Sequence, residues 1–403
     1  MYLLALRNLL RQKVRTAMTL ASVVFGVAGL ILSGGFVQDI YLQLAEALIH
    51  SQTGHLQLAG DGHFASNARG SGARSIADPQ RLQREVAALP AVDDVMARVH
   101  FSGLLNNGSA DWAVIGEGVE PSREAKLSTY MRVIAGRTLV DKDRYAALVG
   151  QGVAQVLKVK PGDQVTLILN TAEGALNTMD LEVAGVFQTF SKDYDARAIR
   201  IPLAAAHELL GSSEASVLVV ALKQTDDTEA VAAELGQRLA GQSIEIRTWR
   251  QLNDYYEKTV ELYGRQFGVL RVIILIMVLL AVANTINMST LERVGEFGTM
   301  RALGNRGIDV SRLVVVEAVI LGLIGGILGV VVGVILALVI SAIGIPMPPP
   351  PNANLGYTAF IQIVPRELIQ AFLVGVFATS FAALLPAMRI GRIAVVDALR
   401  ANV

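Results

Sequence analysis

VIILIMVLLAVANTINMST, residues 272–290, runs for 19 residues without a charge and leads straight into LERVGEFGTMRALG, residues 291–304. At about 1.5 Å per residue, such a run crosses most of the roughly 30 Å hydrocarbon core of a bilayer. Three other uncharged runs do the same: Thr16–Val37 with 22 residues, Ala318–Met347 with 30 and Leu368–Met388 with 21. The sequence therefore predicts four spanning helices. The third is longer than one crossing needs, so it tilts, projects or stops early at Gly344 and Pro346. The first is too long for the apolar part of a signal peptide and has no A-x-A cleavage site after it, so it reads as a retained anchor.

Composition agrees. The 403 residues are 52% hydrophobic and only 17% charged, with a mean hydropathy of +0.47. Soluble globular chains carry nearer a quarter charged residues. Net charge is zero, which gives nucleic acid no basic face to bind. The absence of cysteine excludes disulfides, thiolate metal sites and a cysteine nucleophile.

Positive charge sets the orientation. Arg7, Arg11, Lys13 and Arg15 precede the first run; Arg293, Arg301, Arg306 and Arg312 follow the second; Arg389, Arg392 and Arg400 follow the fourth. The short 3–4 loop holds only Arg366. The expected layout is as follows. Residues 1–15 form a cytoplasmic amphipathic helix, with Arg7, Arg11 and Arg15 on one face and Leu3, Leu6 and Leu10 on another. The spans cover 16–37, 266–290, 313–343 and 367–388. Residues 291–312 form a cytoplasmic elbow, 344–366 an outer loop and 389–403 a cytoplasmic tail. Both termini are cytoplasmic. Residues 38–265 are an extracytoplasmic α+β domain inserted between helices 1 and 2.

That domain has a strand–helix–strand pattern at each end. The first is His55–Ala59, Pro79–Leu89 (capped by Asp78) and Val95–Phe101. The second is Ser216–Leu222, Asp227–Leu239 and Ile244–Arg247. Between them, about 110–200 reads as a β-rich insert. Helix Gln151–Leu157 interrupts it, Pro161-Gly162-Asp163 opens strand Gln164–Leu169, and Asn170–Asp180 is a polar tip before Leu181–Phe187. Residues 60–75 read as a loop. Gln38–His50 extends the first span, and a helix Thr248–Tyr263 runs unbroken into the second.

Catalytic patterns are missing. There is no phosphate-cradling G-x-x-x-x-G-K-[ST], G-x-S-x-G or H-E-x-x-H. His50, His55 and His63 fit no ligand spacing and read as polar loop residues. Glu317 is the lone acid within a span, and Arg312 or Arg301 would pair with it. Gly325, Gly329 and Gly333 recur at four-residue spacing. They permit close helix packing, either within one four-helix unit or at a dimer seam. Asn284 and Asn287 are expected to bond to a neighbouring helix. Phe25, Phe36, Tyr263 and Phe267 either line a substrate entrance or serve as interfacial anchors.

The elbow itself has Val294, Phe297, Met300 and Leu303 in an apolar stripe, charges on its other sides, and Gly304 placed to stop a short helix. E-R-x-x-E-F-G-x-x-R-A-L-G resembles the signature of the MacB/FtsX/lipoprotein-releasing permease superfamily of ABC transporters. The likeness continues in Pro386-Ala387-x-Arg389, in Val396-Asp397-Ala398-Leu399-Arg400, and in Ala5–Arg11 with Arg15-Thr16. Val395 stands where the family's tail usually has proline.

The resemblance implies a non-catalytic permease subunit. It would lie in a bacterial inner membrane. Its elbow would dock through Glu292, Arg293, Glu296 and Arg301, with Phe297 and Met300 as apolar anchors, on a separate ATPase dimer that itself binds ATP and Mg. It also implies a second permease, the same or homologous. Outer-domain cues such as Gly54-His-Leu-Gln-Leu58 and Pro161-Gly-Asp163 resemble the lipoprotein-releasing branch. The implied substrate is then a lipoprotein or other amphiphile, with a periplasmic carrier or adaptor and membrane lipids as further partners. Two alternatives stay open: a mechanotransmitter activating a periplasmic enzyme, and a MacB-like efflux component.

Overall fold

The computed structural model describes residues 7–8, 11, 13–64, 75–171, 174–349, 356–394 and 398. Leu3, Leu6 and Leu10, loop residues 65–74, and Val395 and Arg400 of the tail lie outside them. The chain forms two compact units, one of 1–42, 259–346 and 358–403, the other of 43–258 and 347–357.

The first unit is helical. Lys13–Leu48, Asp254–Glu292, Gly307–Ile343 and Pro365–Ala382 are its long helices, the last continued by Leu384–Arg392. Among the described residues, four segments are long and apolar enough to cross a membrane. The third helix stops early at Gly344, whose φ of +74° suits glycine. The fourth breaks at Ala383 because Pro386 follows closely and lacks the N–H that would continue the ladder. The helix expected to run unbroken from Thr248 is also interrupted. Trp249–Leu252 ends at Asn253, which has non-helical φ −126° and ψ 77°. Its amide donates to the Trp249 carbonyl at 2.7 Å, a local bond that competes with the helical ladder.

Glycine decides how the bundle packs. A Cβ on Gly325, Gly329 or Gly333 would stand 2.9, 2.7 and 2.9 Å from Val23, Val27 and Ile31 of the first helix. Gly322 and Gly326 face Thr379 and Phe372 of the fourth helix in the same way, at 3.2 and 2.8 Å. These glycines therefore serve contacts inside one chain. Gly329→Leu should cost about 1–3 kcal/mol through overpacking, read as a lower unfolding temperature in detergent. Gly29→Leu, whose Cβ would meet nothing within 4 Å, should change little; equal losses would contradict the seam. The second helix is the least covered, with 11% of its apolar window buried. Asn284, expected to bond to a neighbouring helix, lies exposed on it.

The second unit is built on ten strands: β1 Leu56–Gly60, β2 Val92–Asn106, β3 Asp111–Val119, β4 Arg132–Gly136, β5 Ala146–Gly150, β6 Gln164–Asn170, β7 Leu176–Gln188, β8 Ala198–Pro202, β9 Val217–Leu222 and β10 Ile244–Thr248. Their order is β10-β1-β9-β2-β3-β8-β5-β7-β4, and β6 pairs with both β2 and β7. The path β2-β3-β8-β5-β7-β6 therefore returns to β2 and closes a six-stranded ring. Its interior is filled by Val99, Phe101, Leu105, Leu167, Val183 and Ile199.

The two strand–helix–strand patterns are present, with Asp78 accepting from the Arg81 N–H at 3.0 Å to cap the helix Pro79–Ala87. Strands β3 to β8 occupy the stretch read as a β-rich insert, and they are continuous with the rest of the sheet. Strand β2 is 15 residues long; one end pairs with β9 and the other with β6, so one strand serves both parts. The polar tip is shorter than expected too, because Leu176–Asp180 already pairs with β6.

Candidate functional site

The elbow forms a helix, Val294–Ala302. It ends in a two-bond cap: the Gly304 N–H donates to the Arg301 carbonyl at 3.0 Å and the Asn305 N–H to the Met300 carbonyl at 3.2 Å. Gly304 takes a φ of +100°, a conformation costly for residues with a Cβ. The apolar stripe turns inward. Phe297 is 2% exposed within the bundle core, and Met300 packs against that core. Phe297 and Met300 are thus not the surface anchors the sequence suggested; burying them fixes the elbow to its own bundle. Of the stripe, Leu303 projects, at 82% exposed.

Charge holds the elbow from the other side. Arg293 is 6% exposed and donates to both Glu317 oxygens, at 2.7 and 3.2 Å. Its guanidinium lies 4.9 Å from the Phe297 ring centroid. Asn8 donates to the same carboxylate at 2.8 Å. Arg293, rather than Arg301 or Arg312, is therefore the partner of Glu317, because it closes the turn directly beneath the third helix. Arg301 instead donates to the Ile393 carbonyl. Glu292 pairs with Arg15. Glu296 reaches Arg11 at 3.4 Å and Arg293 at 3.2 Å. Glu292, Glu296, Leu303 and Gly304 remain exposed, as does Arg389.

A second cluster, which the sequence reading missed, lies in the α/β unit. Arg98 on β2, Arg200 on β8, Glu117 on β3 and Glu124 on the helix Pro121–Leu127 are at most 8% exposed. Arg98 donates to Glu124 through Nε at 3.0 Å and Nη2 at 2.6 Å. Arg200 donates to Glu117 at 3.0 Å and to the Ser128 hydroxyl at 3.0 Å. The remaining donors leave the cluster: Arg200 Nη2 reaches the Ser51 carbonyl at 3.0 Å, and Arg98 Nη1 reaches the Gln52 carbonyl. Those carbonyls belong to the π-helical turn Ile49–Thr53 that follows the first long helix. Carbonyls at a helix end lack partners of their own, so two guanidinium groups cap this one. Burial pushes the Glu117 carboxyl up, but Arg200 and then Arg98 override it and hold it at about 2. Alternating arginine and glutamate in separate strands left no sequence signal, since each looks like an ordinary surface charge.

His55 was expected in a polar loop but is 2% exposed. Burial lowers its pKa to about 4, so it is neutral at pH 7. Its Nδ1 accepts the Leu222 N–H at 3.1 Å, leaving Nε2 to donate to Thr225 at 3.2 Å.

Residues 16–238 match the family model described as the MacB-like periplasmic core domain, and residues 268–395 match that described as FtsX-like permease C-terminal. The chain belongs to the MacB/FtsX-like permease family. An uncharacterized ABC transporter permease of Methanocaldococcus jannaschii is 26% identical over 65% of this chain and 64% of its own. The lipoprotein-releasing system transmembrane protein LolE of Haemophilus influenzae is 24% identical over 59% of this chain and 58% of its own. The macrolide export ATP-binding/permease protein MacB of Sodalis glossinidius is 26% identical over 79% of this chain and 49% of its own. The chain thus spans about half to two thirds of these relatives' lengths. The solved periplasmic region of MacB from Actinobacillus actinomycetemcomitans covers 53% of this chain and 94% of its own at 14% identity, with a TM-score of 0.39.

Of this permease's four aromatic candidates, the structure brings three together. Phe36 meets Phe267 edge to face with centroids 6.5 Å apart, and Tyr263 lies 6.5 Å from Phe267. Phe25, 82% exposed, is eleven residues before Phe36 and joins no ring contact among the described residues.

Proposed function

We propose that this permease is the membrane subunit of an ABC transporter. A separate ATPase, carrying ATP and magnesium, pushes on the elbow, and the motion reaches the α/β unit outside the membrane to act on a lipoprotein or other amphiphile. The observation that carries this reading is the elbow's construction. Phe297, Arg293 and Arg301 fasten it to its own bundle, while Glu292, Glu296 and Leu303 face outward. A lever needs both properties: a loose loop would absorb a push, and a fully buried one could not receive it. The basic residues flanking the elbow and both chain ends support a cytoplasmic location for all three. The second helix, the least covered of the four with 11% of its apolar window buried, leaves room for a second permease beside this one. Names of relatives that release lipoproteins support the amphiphilic substrate.

Leu303→Asp provides the test, because Leu303 supports nothing in the fold. Co-expressed with its ATPase, this variant should lose about tenfold or more in association, as expected when a central apolar anchor is removed, with ATP hydrolysis by the complex falling in parallel. Leu303→Met should behave as the parent. Undiminished association of Leu303→Asp would refute docking at the elbow.

A further inference from the structure

A cleft of about 140 Å³ opens between the first, second and fourth long helices, walled by Leu30, Val272, Leu275, Ala371 and Val374. At its mouth Arg271 donates to Glu367 at 2.7 Å, the pair being 38% and 21% exposed. Gly34 makes room for both: a Cβ there would lie 2.6 Å from the Glu367 carboxylate and 3.1 Å from the Arg271 guanidinium. The aromatic group of Phe36, Phe267 and Tyr263 sits on the same two helices one to two turns away. Arg366, next to Glu367, is exposed and has no ion pair among the described residues. The mouth thus has one cation and one anion above an apolar slot, and the residue before that anion on the fourth helix is a second, exposed cation.

We infer that this cleft binds one hydrocarbon chain of an anionic phospholipid, with Arg271 and Arg366 taking the headgroup phosphate. The size decides the number of chains. Apolar cavities of roughly 150 Å³ stay dry and accept a benzene-sized group, so this one has room for part of one chain and not two. The charge decides the headgroup. A phosphate must compete with Glu367 for Arg271, and the surplus of Arg366 tips that competition toward an anion; guanidinium groups bind phosphate through paired donors. The inference rests on the bundle lying in a membrane but not on the ATPase: its failure would leave the elbow reading untouched.

The chain lacks cysteine, so Val272→Cys gives the full-length protein a single thiol at the cleft, at a position already 54% exposed. In detergent, phosphatidylglycerol should slow maleimide labelling of that thiol about tenfold, the effect of one good charge-assisted contact. Phosphatidylcholine with identical chains should not. Leu280→Cys, 61% exposed on the same helix in the parent, should be slowed by neither. Adding Arg366→Gln should erase the difference between the two lipids. Native mass spectrometry should retain one phosphatidylglycerol per chain, lost on Val272→Trp. Equal protection of both thiols, equal protection by both lipids in the presence of Arg366, or a retained lipid that survives Val272→Trp would each overturn the site.

Discussion

Arg200→Met should remove about 3–5 kcal/mol from the α/β unit, because it strands Glu117 as a buried, half-satisfied charge and frees the Ser51 carbonyl. That is a large share of the roughly 5–15 kcal/mol that holds a typical domain together. Both tryptophans, Trp112 and Trp249, lie within this unit, so urea unfolding followed by tryptophan fluorescence reports on it alone. Arg200→Met combined with Glu117→Leu removes the pair together and should lose less than half as much, since apolar replacement of a whole buried pair is often neutral. A double variant as unstable as the sum of its singles would contradict this account. The pH dependence follows from the same pair. The Glu117 carboxyl is held at about 2 against an ordinary 4.5. Its contribution is complete above 4.5 and is lost as pH falls from there toward 2. In Arg200→Met that acid-sensitive component should shrink.

Glu317→Leu should destabilise the helical unit by a similar amount, about 3–5 kcal/mol. Hydropathy alone predicts the opposite sign, because leucine suits a spanning helix far better than a carboxylate. The structure gives the reason: Arg293, 8% exposed at its side chain, would keep only Glu296, and Asn8 would lose its acceptor. Glu317→Gln keeps an acceptor oxygen and should lose about half as much. Thermal unfolding in detergent separates the alternatives, and a more stable Glu317→Leu would dismiss the buried pair as a constraint on the elbow.

Much of the architecture was legible because it depends on one-dimensional patterns. Uncharged runs marked the four long helices, and turn signals around Pro161-Gly162-Asp163 placed β6. Helix Gln151–Leu157 was found to the residue. What stayed hidden depends on partners distant in sequence. Nothing in β6 announces that it closes a ring onto β2, some sixty residues earlier. The elbow's stripe was visible, but not which body it faces: a helix offers its apolar side to its own bundle as readily as to another chain, and here Phe297 chose the former. Arg293 and Glu317, 24 residues apart, could be recognised as partners only once the turn between the second and third helices was closed. Asn253 gives no sign of the break in sequence, because a single polar residue in a helical stretch usually points to solvent.

The ring of six strands has one more consequence. Strands arranged end to end in a sheet expose two raw margins, and each invites a stray chain to add itself by backbone bonding. Here β2, β3, β8, β5, β7 and β6 occupy one another's margins. The outermost strands left are β4, short and kinked between Val133 and Ala135, and β10, which carries Glu245 and Arg247. A crowded compartment full of unfolded polypeptide therefore finds little here on which aggregation can be seeded.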